Sequence, residues 1–389
     1  MKKFVKVMCL ALVLVMAMGC FAACGNTPAD NDGDNSGKTY VIGVSGPLTG
    51  PAAVYGTAVK NSAQMAVDEI NAAGGLNGVQ FKLVALDDKH DPPNIAANYA
   101  ALYEQGMHVS LGCVTTAPGL EFTNFAKEDN VFFLTPSASG DAIPGGHGYQ
   151  MCFADGNQGK VAAEYVNEAY AGKTIGVFYK SDDPYSKGIY DQFVAALDAS
   201  VSTVVTSFSA ANETSFATQI DTLKDCEFVF MPIYAAPAAL FMTQATNVMK
   251  ANAVYYGCDG LDGIESVEGF DITAVPQEVS MLSHFNSKAT EGAAKTFVDK
   301  YVAKYGKDTL NQFGASAYDC VYAIYGAMKK VEDVSPDMSA SDMCDALKAQ
   351  FNGGYTFENG VTGETVKWNT DGSVNKMAVK FVVKEANAQ

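Results

Sequence analysis

The sequence lacks the short signatures by which an enzyme usually announces its chemistry. It has no Gly-x-x-x-x-Gly-Lys-Ser/Thr phosphate loop, no Gly-x-Gly-x-x-Gly turn, no Gly-x-Ser-x-Gly elbow and no His-Glu-x-x-His pair. Ser373-Val374-Asn375-Lys376 has Ser-x-x-Lys spacing, but it lies in a polar tail stretch where chance explains it. The four histidines (His90, His108, His147 and His284) are scattered, and isolated histidines are more often solvated or core residues than ligands. No Cys-x-x-Cys occurs. Beyond residue 24 the cysteines are Cys113, Cys152, Cys226, Cys258, Cys320 and Cys344, with no zinc spacing. Disulfides and buried free thiols suit them equally, and the sequence selects no pairing. No metal, cofactor or catalytic residue is expected. Positive charge is scarce as well, with 26 Lys and Arg against 43 Asp and Glu and a net charge of −17, which argues against nucleic acid as a partner. After the N-terminal segment no stretch is long and apolar enough to span a bilayer.

What is present begins at the N-terminus. Residues 1–23 combine Lys2, Lys3 and Lys6 with an apolar stretch from Val7 to Met18 and small residues after it, the pattern of a secretory signal. The apolar core falls short of the ~20 residues a transmembrane helix needs. Phe21-Ala22-Ala23-Cys24 resembles a lipobox, so Cys24 is the expected lipidated first residue, with Cys20 as the alternative. Asn26–Lys38 is rich in Asn, Asp, Gly, Ser and Thr and has no large apolar residue, which suits a flexible leash. The expected product is exported and tethered by lipid to the outer face of the cytoplasmic membrane. The length that remains suits two domains. A hydrophobic content of 48% with 22 Phe and 19 Tyr supplies a core for both.

Strand-like runs then alternate with helical patterns. Strands are predicted at Tyr40–Val44, Val79–Leu86, His108–Leu111, Val131–Leu134, Thr174–Tyr179, Val201–Phe208, Glu227–Pro232 and Ala253–Tyr256. Ala63, Ala66, Val67 and Ile70 share one helical face between the first two, and Ala73-Gly74-Gly75 ends that helix. Further helices fit Asn94–Gln105, Gly119–Glu128, Gly159–Ala171, Lys187–Ala199, Ser215–Leu223 and Ala236–Ala251. This order predicts an α/β fold of two doubly wound parallel sheets, with a break near Phe153–Asn157. After Asp259 the alternation stops, and long helices are expected at Thr290–Tyr305, Asn311–Lys330 and Ser339–Phe351. Glu364–Lys384 reads as a hairpin around Asn369-Thr370-Asp371-Gly372. The cleft is expected between the carboxyl edges of the two sheets.

Polar loops follow the strands at that edge. Gly112–Gly119 carries Thr115 and Thr116, and Thr135–Gly140 carries Ser137 and Ser139. Hydroxyls beside a helix N-terminus suit a carboxylate, although Thr116 and Ser139 also suit plain N-capping. In the second half, Lys180–Gly188 and Tyr255–Gly260 occupy equivalent places. Asp259 suits an ammonium group or a turn. A carboxylate site facing an ammonium site describes an α-amino acid.

GPLTGPAAVYG, DEINAAGGLNG, the Gly112–Thr116 loop, TPSAS, DDPYSKG and GCDG occur in the order seen in branched-chain amino acid binding proteins of ABC transporters, and the resemblance covers nearly all of the chain after Lys38. It implies a type I periplasmic-binding-protein fold with a hinge of several crossings. The implied domains are a signal at 1–23, a lipidated Cys and linker at 24–38, an N-terminal lobe at 39–157 plus 285–362 and a C-terminal lobe at 158–284 plus 363–389. By the same resemblance, Thr116 takes the ligand carboxylate, Ser137 offers its carbonyl to the ammonium and Ser139 contacts both. Asp259 is the acidic partner of the ammonium, and Tyr185 closes over the carboxylate. Tyr55 and Phe313 resemble wall aromatics; Tyr234 does too, unless Pro237 is the aligned residue and Ala236 takes that place. The leucine/isoleucine/valine receptors carry a disulfide near the pocket, where this chain has Cys113 at one position and His90 at the other.

The resemblance implies a monomeric receptor that captures an amino acid, branched-chain or otherwise aliphatic, and delivers it to ABC permease subunits. A sensory receptor and a receptor for amides or aromatic acids are the alternatives; an exported enzyme is the least favoured.

Overall fold

A computed structural model describes residues 37–387; Cys20, Cys24 and the signal lie outside the described residues. The first part runs β1 (Thr39–Gly46), α1 (Ala53–Ala72), β2 (Gln80–Asp87), α2 (Ile95–Glu104), β3 (Met107–Cys113), α3 (Thr116–Glu128), β4 (Leu134–Thr135) and β5 (Tyr149–Gln150). Strands β2, β1 and β3 lie side by side and parallel. A bridge from Ser110 to Phe133 continues the order towards β4, which pairs with β5. The central strand β1 is buried at all but its first residue, whereas β2 alternates exposed and buried positions near its start. That contrast separates a strand covered on both faces from one at an edge.

The second part runs α4 (Asp155–Ala169), β6 (Thr174–Lys180), α5 (Pro184–Ala196), β7 (Ser202–Phe208), α6 (Ala217–Leu223), β8 (Phe228–Met231), α7 (Ala235–Ala245), β9 (Val254–Gly257) and β10 (Glu278–Ser283). Three helices follow: α8 (Gly292–Tyr305), α9 (Gln312–Met328) and α10 (Ala340–Asn352). Short strands β11 (Thr356–Glu358) and β12 (Thr365–Lys367) and the final β13 (Val379–Lys384) complete the chain. The second sheet has the order β13-β10-β9-β8-β6-β7 and is parallel except for β13.

After β10 the chain returns to the first sheet, where α9 packs on α1 and α10 on β3. In α1 the buried positions, including Tyr55, Val59, Ala63, Ala66 and Ile70, make one helical stripe. Gly74 and Gly75 then take left-handed conformations (φ 102° and 73°) that end the helix.

Two expectations are corrected. The strand at Glu278–Ser283 lies beyond the point where the alternation was expected to stop, after three short 3₁₀ turns between Asp259 and Ala274. The tail hairpin forms only at its turn, where the Gly372 N–H donates to the Asn369 carbonyl (3.0 Å). Its arms separate because each finds another partner. β12 pairs with β11, the Trp368 indole N–H donates to the Gln150 carbonyl (2.7 Å), and β13 adds to the open edge of β10.

Gly56 lies where α1 crosses the loop after β1: a Cβ there would stand 2.0 Å from the Pro47 carbonyl oxygen. Alanine is the better helix former by about 1 kcal/mol, but here backbone must move to admit it. Gly56→Ala is therefore expected to destabilise the fold by about 1–3 kcal/mol, read as a lowered urea midpoint; an unchanged or raised midpoint contradicts this packing.

Candidate functional site

The carboxyl ends of both sheets border one small cavity. Of the residues singled out in the sequence, Tyr55, Ser137, Ser139, Tyr185, Tyr234, Asp259 and Phe313 line it, together with Val114, Thr115 and Gly260. Its volume is about 10 Å³, room for roughly one water. Thr116 stands behind this wall, with its hydroxyl 3.5 Å from Asp155 Oδ2. Tyr234 borders this cavity, and Ala236 lines the adjoining one together with Tyr234.

Asp259 opens the turn after β9. Tyr185, in the first turn of α5, donates its hydroxyl to Asp259 Oδ1 (2.7 Å) and accepts from the Gly260 N–H (2.8 Å). The Asp259 N–H donates to Gln158 Oε1 on α4 (3.0 Å). These bonds fix the carboxylate, yet Oδ2 has no hydrogen-bond partner among the described residues although Asp259 is only 1% exposed. Burial pushes its pKa up to about 6, against hydrogen bonds from Tyr185, Gln158 and Gly260 that pull the other way. Asp155, at the start of α4, lies close by. Burial first, and then the charge of Asp259, hold its carboxyl well above the ordinary range.

The opposite wall offers donors. Thr115 occupies the N-cap position of α3 but makes no cap bond; its hydroxyl pairs with His90 Nδ1 (2.8 Å). The first N–H groups of α3 are thus left without a side-chain cap, at the positive end of the helix dipole. Ser137 donates its hydroxyl to the Val114 carbonyl, which fixes the second loop. The sequence contains no arginine, so a carboxylate here meets hydroxyls and backbone N–H groups rather than a guanidinium fork.

Tyr55 closes the cleft. It comes from α1, yet its hydroxyl donates to the Gly260 carbonyl (2.6 Å) in the turn after β9 and accepts from the Ala235 N–H (2.9 Å) at the start of α7. Its ring packs edge-on against Phe313 (centroids 5.4 Å) and near Tyr234 (5.7 Å).

Asp155 and Gln158 escaped the sequence reading, and Thr115 entered it only as part of its loop. Asp155 lay in the polar stretch taken as the break between domains, and an acid that begins a helix looks like a cap. Thr115 and Thr116 are adjacent, and only the backbone turn decides which faces the cavity. The six cysteines among the described residues are buried free thiols, and no group of acids, histidines or cysteines among them could hold a metal ion.

The family model described as periplasmic binding protein matches residues 39–387. The chain belongs to the periplasmic binding protein family. Membership makes it a binding protein and not an enzyme. This periplasmic binding protein is 30% identical over 325 residues to the leucine-, isoleucine-, valine-, threonine- and alanine-binding protein of Pseudomonas aeruginosa, covering 80% of this chain and 82% of that one. It superimposes with a TM-score of 0.78 on the branched-chain amino acid transporter substrate binding protein of Streptococcus pneumoniae, solved with isoleucine, at 28% identity over 89% of this chain and 98% of that one. An R. palustris solute binding protein solved with benzoate shares the fold, with a TM-score of 0.74 at 18% identity over 90% of this chain and 94% of that one.

The raised carboxyls set the pH response of the ligand-free binding protein. The pKa values of Asp259 and Asp183 are pushed up to about 6 by burial, above the ~3.9 of an unfolded aspartate. Their contribution to stability is therefore complete below about pH 4 and lost as pH rises through 6. Burial lowers the pKa of His90 and His284, which opposes this effect over the same interval, so the carboxyl contribution is read as a difference: the change in melting temperature from pH 7 to pH 5 is expected to be less favourable in Asp259→Asn than in the wild type, and an equal change contradicts the assignment.

Proposed function

We propose that this chain is an extracytoplasmic receptor for an α-amino acid, tethered by lipid at Cys24, that captures its ligand by lobe closure and passes it to an ABC permease. One observation carries the reading: the buried Asp259 Oδ2 without a partner, in a cavity walled by Tyr55, Tyr185, Tyr234 and Phe313. A buried charge left without its partner costs about 3–5 kcal/mol, and a ligand ammonium supplies that partner. The ligand carboxylate then meets the N-terminus of α3 with Ser139 and the Thr115–Thr116 turn. Ser137 offers its backbone carbonyl to the ammonium.

The cavity is too small for an amino acid as it stands, so entry requires the two sheets to part at the Tyr55 contacts. Closure over the ligand remakes those contacts, and only a ligand that favours the closed form shifts the balance towards it. The names of the Pseudomonas and Streptococcus relatives support an aliphatic ligand. A benzoate-like acid is disfavoured because it has no ammonium and leaves Asp259 unneutralised.

The test is calorimetric titration of the soluble form beginning at Gly25, unfolded and refolded to strip carried-over ligand, with amino acids, amides and aromatic acids. Saturable binding of aliphatic α-amino acids is expected; silence towards every α-amino acid contradicts the reading. Tyr55→Phe removes both cross-cleft hydrogen bonds while keeping the ring, and a roughly thirtyfold weaker affinity is expected at about 1 kcal/mol per bond. Unchanged affinity means that the Tyr55 hydroxyl plays no part in closure.

A further inference from the structure

A second cavity, of about 130 Å³, adjoins the first and shares the Tyr234 ring with it. Its size is close to the ~150 Å³ of an engineered cavity that admits benzene. Phe208, Ile233 and Pro237 give it an apolar wall, while Lys180, Glu213 and Asp183 make it polar elsewhere. Lys180 and Glu213 satisfy each other as an ion pair. Asp183 does not: its Oδ1 accepts the Tyr185 N–H (3.2 Å) and caps α5, while Oδ2 has no partner among the described residues, in a residue only 6% exposed.

The remaining side of the cavity is held by force. Lys89 and His90 adopt left-handed backbone conformations (φ 57° and 61°), uncommon for residues other than glycine. N–H bonds to Asp87 Oδ1 (3.0 Å) and Asp88 Oδ1 (2.9 Å) keep them there. The result places the His90 ring between the Thr115 hydroxyl and the Tyr234 ring (centroids 5.1 Å). Strain of this kind persists where surrounding structure enforces it, and it clusters at ligand sites.

Charge narrows the occupant. Lys89 and Lys180 oppose Asp183 and Glu213, and burial lowers the His90 pKa to about 4, so His90 is neutral. With Lys180 and Glu213 paired, Lys89 and Asp183 are the charges left on the wall, so a cationic side chain meets Lys89 and an anionic one meets the Asp183 carboxylate. A neutral donor meets Asp183 Oδ2 without either penalty.

We propose that this cavity reads the ligand's side chain, accepting an apolar body of about ring size that ends in a neutral hydrogen-bond donor, a phenol above all, which donates to Asp183 Oδ2. The proposal rests on the first cavity holding the amino-acid end of the ligand. Tyr234 is the partition between the two ends. An aliphatic side chain fills the apolar part of the cavity and leaves the Asp183 oxygen unpartnered, so it binds without that added bond.

The experiment is titration of the refolded protein with L-leucine, L-phenylalanine and L-tyrosine at neutral pH. L-Tyrosine is expected to bind at least about tenfold more tightly than L-phenylalanine, the effect of one hydrogen bond to a charged group. Asp183→Asn and Asp183→Ser both retain a helix-capping oxygen, and each is expected to remove most of that ratio. Equal affinity for L-tyrosine and L-phenylalanine in the wild type overturns the proposal, as does a ratio untouched by both variants. Failure of all three amino acids to bind overturns the amino-acid reading of the first cavity as well, so the two failures are told apart.

Discussion

Asp155, Asp183 and Asp259 are buried around one cleft, and none of them forms an ion pair among the described residues. This concentration of unneutralised charge is the constraint on which the rest of the site depends. The fold tolerates it through oriented dipoles. Asp155 and Asp183 stand at the N-termini of α4 and α5, where the helix dipole favours an anion. Asp259 is held by Tyr185 and followed by the Gly260 N–H, which itself binds the Tyr185 hydroxyl. Dipoles of this kind lessen the penalty of burial but do not remove it, as the upward shifts of all three carboxyls show.

On the proposed reading, the same constraint couples binding to closure. With the cleft shut and no cation inside, the carboxylates are desolvated without compensation. A parted cleft would let water solvate them at the cost of the Tyr55 bridge, and a ligand that brings an ammonium would resolve the conflict in the closed form. Stability of the ligand-free closed form and responsiveness to ligand thus oppose each other, a common cost of a site built for function.

The fold was legible because alternation of short β-branched runs with amphipathic helices is a strong local pattern, and β1, β3, β6 and β8 appear within a few residues of their expected bounds. β10 was missed because the 3₁₀ turns from Asp259 to Ala274 broke the rhythm before it. The tail strands read as one hairpin because local alternation cannot reveal that β10 leaves an edge open 96 residues earlier in the chain, with Ser283 paired to Val379. Within the candidate site, motif order singled out Asp259 and the aromatic residues that border the cavity. The exchange of Thr116 for Thr115 at the cavity wall, and the entry of Asp155 and Gln158, depend on how α3 and α4 are rotated about their axes, which no short motif encodes.

The central claim is that a ligand ammonium neutralises Asp259. The most direct measurement is a two-by-two calorimetric cycle in which L-leucine and 2-hydroxy-4-methylpentanoate, which has a hydroxyl in place of the ammonium, are each titrated into the wild type and into Asp259→Asn. The account predicts a coupling of more than about 2 kcal/mol between ammonium and carboxylate, within the range of close charge pairs at buried interfaces. A coupling indistinguishable from zero, with the two ligands losing affinity equally in the variant, would contradict it.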